Sequence, residues 1–340
     1  MVLLCSWRTV KDVSLLLGEL TERAPISGEG ANSLLTQNQV IAIGDHLTTL
    51  LAETKHRGAF EQAYVGFCKL ASRLWRFPSG NLHELPTKWL NETLLEITTN
   101  GKLCATRRLI CTELEIGGGK CFKNSMDVLL QLGGSQESSK ETRTHAMNIL
   151  RSLFRNSRLG EMVNPYVPQG IALAVQGFSA NTWGERNSAT LLLSALMTRV
   201  FGVPRSRSHT LNWRNKMTGR IFFQRYPTLF GVLLKHLECA TSLFHSARYP
   251  VLLILGRLYP SSLEGTDSNL QCAGSSILKT RSLAASAMVA LITPNIYLNH
   301  MDTVFNKIAS KVNENLTHGL LLQVSDKIPI FRYVFIYYID

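Results

Sequence analysis

Acidic side chains are scarce in this 340-residue chain, where 36 Lys plus Arg stand against 24 Asp plus Glu for a net charge of +12. Such an excess favours polyanionic partners, nucleic acid above all, and is silent about fold. The shortage is uneven. Between Glu185 and Glu238 there is no acidic residue at all, and that stretch carries Arg186, Arg199, Arg205, Arg207, Arg214, Lys216, Arg220, Arg225 and Lys235. Paired cysteines are also lacking. The seven, Cys5, Cys68, Cys104, Cys111, Cys121, Cys239 and Cys272, are scattered with no C-x-x-C. That pattern fits reduced thiols in the cytosol or nucleus. A zinc site at Cys104, Cys111 and Cys121 is disfavoured because the two-to-four spacing of structural ligands is missing. No run of about 18 apolar residues occurs, so no membrane insertion is expected. The opening MVLLCSW is too short for a signal peptide, and the closing IPIFRYVFIYYID is short and interrupted by Arg332. A cytosolic location is the expectation. Hydrophobic content of 45% with mean hydropathy near zero indicates a folded, water-soluble chain.

Catalytic signatures are missing as well. Gly117-Gly118-Gly119-Lys120 fails as a phosphate loop because Cys121 follows the lysine and no glycine stands at the required distance before it. There is no G-x-S-x-G elbow, no H-E-x-x-H helix and no Rossmann fingerprint. His83-Glu84 stands alone beside Pro86 and reads as a solvated loop. The chain is expected to have no catalytic residue, to ligate no metal and to bind no cofactor of its own.

What is present is a repeat. An Arg is followed by Ala at +3 and by apolar or small residues at +6, +7 and +10 in three places: Arg143, Ala146, Ile149, Leu150, Leu153; Arg186, Ala189, Leu192, Leu193, Leu196; Arg281, Ala284, Ala287, Met288, Leu291. Spacings of three and four place these residues on one face of a helix, and the small Ala lets a neighbouring helix come close. The first two arginines are 43 residues apart and the next interval is 95, close to two further periods. A looser match at Arg57, Phe60, Ala63, Tyr64 and Phe67 lies 86 residues before Arg143. Helical repeats of the HEAT and armadillo type run about 40 to 47 residues, each stacked on its neighbours. The spacing therefore predicts an all-α, HEAT/armadillo-like helical repeat solenoid running as one region through residues 1–340. Each of the three arginines should stand near a helix start, facing a neighbouring repeat or a preceding loop, and bond backbone carbonyls or acids between units, so that not all three contact RNA. Breaks are expected at 24–33, 76–81, 133–140 and 203–212, where Gly, Pro, Ser and Asn cluster. Strand signals are confined to the C-terminal IPIFRYVFIYYI.

The basic stretch from Arg199 to Arg225 contains His209 and Trp213 among its cations. Arginine forks can hold phosphates through two hydrogen bonds, and an aromatic can stack a base. The same arginines could instead cap helix ends or solvate a loop. Arg205, Arg207, Arg214, Lys216, Arg220 and Arg225 are the main candidates for an anion-binding patch, next to an insertion that interrupts the repeat period.

Several segments closely resemble the THADA (thyroid adenoma-associated) family of large tRNA-modification cofactors. They include VLLCSWRTVKDVSLLLGEL at the start, HRGAFEQAYVGFCKLASRLWR near residue 60, LPTKWLNETLLEI, LCATRR, THAMNILRSLFRNSRLGEMVNPYV, QGFSANTWGERNSATLLLSALMTRVFGV, NKMTGRIFFQRYPTLFGVLLKHLE and LKTRSLAASAMVAL. The resemblance covers residues 2 to about 324. It implies an armadillo-like fold and a non-catalytic role beside an FtsJ-like methyltransferase, which modifies a ribose 2′-hydroxyl in the tRNA anticodon loop. The partner would bind S-adenosylmethionine, and this chain would help present the tRNA. Arg107 and Arg108 match an arginine pair of the family and join the tRNA-binding candidates.

Two stretches depart from the family pattern. After Arg107-Arg108 the family's Ser-Ala-Gly-containing motif and longer helix give way to LICTELEIGGGK, and 325–340 abandon the pattern altogether. Both read as skipped or mispredicted exons, which makes 109–120 an expected site of poor packing and the chain a truncated form of a longer protein. Relatives linked to calcium-pump regulation and energy storage leave a second reading open, a protein-interaction scaffold without RNA contact.

Overall fold

The computed structural model describes residues 2–27, 33–54, 56–77, 80–100, 106–116, 119–202, 217–238, 248–258, 273–291, 297–310 and 313–325. The described residues are helical apart from turns and isolated bridges, one of which joins Ile26 and Leu35. They fall into two compact units, 1–163 and 164–340. The C-terminal IPIFRYVFIYYID lies outside the described residues.

The first unit contains α1 (Val2–Arg23), α2 (Gln37–Glu53), α3 (Arg57–Trp75), α4 (Asn81–Asn100), α5 (Thr106–Ile116), α6 (Lys120–Gly134) and α7 (Lys140–Arg155). The breaks after Arg23, Trp75 and Gly134 fall where Gly, Pro and Ser cluster, as the sequence predicts. Each helix packs on the next, and α1, α3, α5 and α7 also touch in succession while α2, α4 and α6 do the same. Two layers of helices result, which is the packing of a helical repeat.

Contacts within the first layer advance together along both chains. Gly66 meets Ser14 and Gly18, Lys69 pairs with Glu19 and Glu22, and Arg73 donates to the Glu22 carbonyl. Helices α1 and α3 therefore run parallel, as every second helix of a repeat must. They cross at glycine because nothing larger fits: a Cβ on Gly66 would lie 2.3 Å from the Ser14 carbonyl oxygen. In the second layer Gly44 faces the Trp89 ring in the same way.

The second unit contains α8 (Val167–Gly177), α9 (Trp183–Phe201), α10 (Gly219–Arg225), α11 (Pro227–Glu238), α12 (Arg248–Leu255), α13 (Leu278–Leu291), α14 (Tyr297–Ala309) and a last helix, α15, over 314–325. Successive packing of α8 on α9, α10 on α11, α11 on α12 and α12 on α13 continues the repeat logic. Val304, Leu320 and Ala273 form a small core where α14 and α15 meet the turn before α13.

The three predicted stripes are inside. Ala146, Ile149, Leu150 and Leu153 of α7 are buried, as are Ala189, Leu192, Leu193 and Leu196 of α9 and Ala284, Ala287 and Met288 of α13. The Leu291 side chain lies outside the described set. The three arginines occupy one position: each backbone N–H begins the helical ladder, donating to the carbonyl of Ser139, Thr182 or Ile277. Their guanidinium groups then fold back onto the loop before the helix. Arg143 Nη1 donates to the carbonyls of Ser138 (2.5 Å) and Ser135 (3.4 Å). Arg186 Nη1 donates to those of Ala180 and Asn181, both at 2.8 Å. Arg281 Nη1 donates to that of Ser275 (2.6 Å) and to Asn315 Oδ1 of α15 (3.0 Å). The recurring arginine thus satisfies carbonyls that would otherwise be left without donors where a repeat begins.

Three expectations are corrected. The looser match at Arg57 is out of register, because Arg57 is the first residue of α3 and pairs with Glu61 at 2.9 Å in solvent. Ala63 and Phe67 are nevertheless buried. His83-Glu84 lies in the first turn of α4 and not in a loop, since the helix starts at Asn81 and runs through Pro86. The His83 ring nitrogen lies 3.1 Å from the Phe77 carbonyl. The stretch from Leu109 to Glu113 is well packed, with Leu109, Ile110, Cys111, Thr112 and Glu113 all buried. Its carboxylate gives the reason. Gly119, at φ +79°, starts α6 without a capping side chain, and Glu113 accepts from the N–H groups of Cys121 (3.3 Å) and Phe122 (3.0 Å) instead. Those are the donors a capping residue would satisfy.

Candidate nucleic-acid interface

The acid-free window begins in the first turn of α9. Thr182 caps that helix, accepting from the Glu185 N–H at 3.3 Å, while the Glu185 carboxylate turns back to accept from the Thr182 hydroxyl. This places Glu185 in the interior at 3% exposure. Glu185 is the only acidic residue between Glu161 and Glu238. Its burial extends the acid-free surface backwards, so no described residue from Met162 to Leu237 exposes a carboxylate.

Helix α10 is seated by aromatic rings. Phe222 is fully buried, stacks on Phe201 at the end of α9 (centroids 6.0 Å apart) and meets Phe223 and Tyr226 edge-on at 5.2 and 5.4 Å. Phe223 in turn meets Phe230 of α11 at 5.3 Å. Burial pushes the Tyr226 hydroxyl above its ordinary pKa, with Arg225 opposing. This anchorage fixes which residues of α10 face water: Arg220 and Arg225 are exposed, as is Lys235 on α11. The Arg225 guanidinium lies 5.7 Å from the centroid of the Tyr226 ring, within cation–π range. Among the described residues neither Arg220 nor Arg225 has a hydrogen-bonding or ion-pair partner. Ile221, Phe230 and Leu234 are exposed between these cations.

Of the sequence-predicted candidates, Arg220 and Arg225 are both exposed on α10. Arg205, Arg207, Arg214 and Lys216 lie outside the described residues. Arg107 and Arg108 belong to the first turn of α5, and their side chains lie outside the described set. Sequence reasoning missed Trp183, the first residue of α9, which is 73% exposed. Its signal was the capping pattern Thr182-x-x-Glu185, which puts position 183 at a helix start. It also missed a cavity of about 230 Å³ between α2 and α4, lined by Glu53, Glu92, Glu96, Trp89 and threonines. Among the described residues no group of His, Cys, Asp and Glu is arranged to hold a metal ion, and no helix is long and apolar enough to cross a membrane.

Fold and surface together define a helical-repeat protein with one strongly basic, carboxylate-free stretch. Residues 1–184 match the family model described as THADA/TRM732, DUF2428, and residues 186–326 match that of Trm732, C-terminal TPR repeats. The chain belongs to the THADA/Trm732 family. It is 39% identical, over 97% of its length, to the tRNA (32-2'-O)-methyltransferase regulator THADA of Canis lupus familiaris. The human protein of the same name is 39% identical over 95% of this chain. The Schizosaccharomyces pombe tRNA (32-2'-O)-methyltransferase regulator trm732 is 26% identical over 97%. The chain spans 19% of the dog and human proteins and 24% of the yeast one.

Proposed function

We propose that this chain is a non-catalytic helical-repeat adaptor that supports 2′-O-ribose methylation in the tRNA anticodon loop by an FtsJ-like methyltransferase. The partner enzyme supplies the S-adenosylmethionine site and the chemistry, and this chain holds tRNA in the cytosol. The family supports the regulatory part of this reading. The observation that carries the tRNA contact is the burial of Glu185, which leaves the surface from Met162 to Leu237 without a carboxylate to repel phosphate. We assign Arg205, Arg207, Arg214 and Lys216 to the same patch as the described Arg220 and Arg225, and keep Arg107 and Arg108 of the first unit as separate tRNA-binding candidates. Phosphate contacts of this kind release counterions, so binding falls steeply with salt. In tRNA titrations across salt concentrations, replacing Arg220 and Arg225 with Ala should weaken binding and reduce the salt slope by about one per lost contact. Unchanged affinity and slope would refute the assignment.

A second reading, a protein-interaction scaffold without RNA contact, draws on the acid-lined cavity between α2 and α4. Glu53, Glu92 and Glu96 give that groove the opposite sign to the chain as a whole, which suits a basic protein segment. Such segments would include those of a calcium pump or of an energy-metabolism regulator. Capture of a protein partner that survives the Arg220 and Arg225 substitutions and is lost with Glu92→Lys would favour it.

A further inference from the structure

The three recurring arginines provide an internal comparison, because each opens a helix in the same way. What differs is the residue three positions earlier, at the helix start, and what covers the guanidinium. In α7 the first residue is Lys140, with exposed Glu141 beside it. In α13 it is Leu278, and Arg281 is buried at 9% exposure, its Nε donating to His318 Nδ1 (3.3 Å) and its Nη1 to Asn315. In α9 it is Trp183, and Arg186 remains exposed.

Trp183 has no structural employment. The indole makes no hydrogen bond and no ring contact among the described residues. Trp75 and Trp89, by contrast, are 5% and 2% exposed, and Trp7 stacks on His56 at 4.8 Å. Leaving so large an aromatic surface in water forgoes more burial than any other side chain would. The cap of α9 needs Thr182 and Glu185 and nothing at 183. The backbone that carries the ring is nevertheless fixed, since it belongs to a 19-residue helix whose inner face is buried and whose preceding loop Arg186 ties down.

Arg186 spends only one nitrogen on that loop. Both bonds to Ala180 and Asn181 come from Nη1, so the Nε–Nη2 edge of the fork is free. That edge can bind a phosphate through two parallel hydrogen bonds. Residues three apart share a side of a helix, so the aromatic plane and the open fork occupy the same first turn. The nearest acid in sequence, Glu185, points inward.

We propose that Trp183 and Arg186 form a nucleotide subsite for single-stranded RNA. An unpaired base stacks on the Trp183 indole, and a neighbouring phosphate takes the Nε–Nη2 edge of Arg186. The proposal deepens the tRNA reading and rests on it. A stacked base tolerates any sequence because every base has a π-face, so the subsite recognises strandedness and not identity.

The test uses the full 340-residue chain with a labelled single-stranded RNA and the same RNA annealed to its complement, titrated at several salt concentrations. Trp183→Ala should weaken single-strand binding by roughly 5- to 150-fold, the range for one stacked base, and leave the salt slope unchanged. Trp183→Phe should retain most of the affinity, and the duplex should show a much smaller effect. Equal binding by wild type and Trp183→Ala would overturn the subsite, as would a Trp183→Ala protein that loses methyltransferase capture while keeping its RNA affinity. If Trp183→Ala weakens binding and the Arg220 and Arg225 substitutions do not, the subsite stands and the α10 patch falls. A wild-type chain that binds no RNA would sink both.

Discussion

Replacing Gly66 with Ala tests the closest approach in the first unit. A methyl group there would sit 2.3 Å from the Ser14 carbonyl oxygen and 3.2 Å from its carbon. Ordinary carbon–oxygen contact needs roughly 3.2 Å or more, so α1 and α3 must separate by about 1 Å, because both atoms are backbone and neither can rotate away. A gap of that size forfeits a quarter to a half of each dispersion contact along the interface. Overpacking typically costs about 1–3 kcal/mol. The opposing gain from Ala over Gly in a helix interior is at most about 1 kcal/mol. The net expectation is a loss of about 1–2 kcal/mol, or a urea midpoint lowered by several tenths of a molar to about 1 M. Fluorescence of buried Trp75 and Trp89 reports this unit. Gly231 in α11 is the control, since a Cβ there meets nothing within 4 Å; Gly231→Ala should raise stability by up to about 1 kcal/mol. A Gly66→Ala protein as stable as wild type would refute the close crossing.

Two further outcomes follow from buried polar groups. Glu113→Gln keeps the shape but pairs the N-terminus of α6 with a neutral amide that can turn a donor toward it. Amide exchange at Cys121 and Phe122 should accelerate by tenfold or more, tenfold being about 1.4 kcal/mol; unchanged protection would remove Glu113 from the cap. His145 on α7 has its pKa lowered by burial, with Glu141 opposing. Because the folded pKa lies below the unfolded one, its contribution to stability is present above the ordinary histidine pKa and is lost as pH falls through the folded value. Urea midpoints at pH 7.5 and 5.5 should therefore differ more for wild type than for His145→Gln, and an equal difference would contradict the burial.

The phase of α7, α9 and α13 was legible because apolar spacing is a property of one helix. The arginine position was legible too, since Arg143, Arg186 and Arg281 mark the same register in each. Packing partners were not. Gly18 and Gly66 lie about one repeat apart, and neither alone announces that their backbones touch. The stretch from Leu109 to Glu113 was misjudged because departure from a family pattern was read as loss of structure. Its own apolar residues still form a helix face, and Glu113 supplies a cap that the family comparison does not reveal. His83-Glu84 was misplaced because Pro86 suggests a break, although the helix begins at Asn81 and continues through it.

Charge was half legible for a similar reason. The sequence locates Glu185 but not its orientation, and the difference decides how far the carboxylate-free surface extends. Thr182-x-x-Glu185 is a capping pattern, and a cap draws its acid toward the helix start, away from the outer face. The same capping geometry that buries Glu185 sets Trp183 outward on the first turn. It also brings Arg186 back over the loop with one edge of its fork unused. In α13 the equivalent arginine is enclosed by Asn315 and His318 and has become part of the interior. One repeat position thus serves structure where a neighbouring helix covers it. Where it stays open beside an aromatic, as in α9, it is available to a nucleotide, and the Trp183→Ala titration separates those two uses.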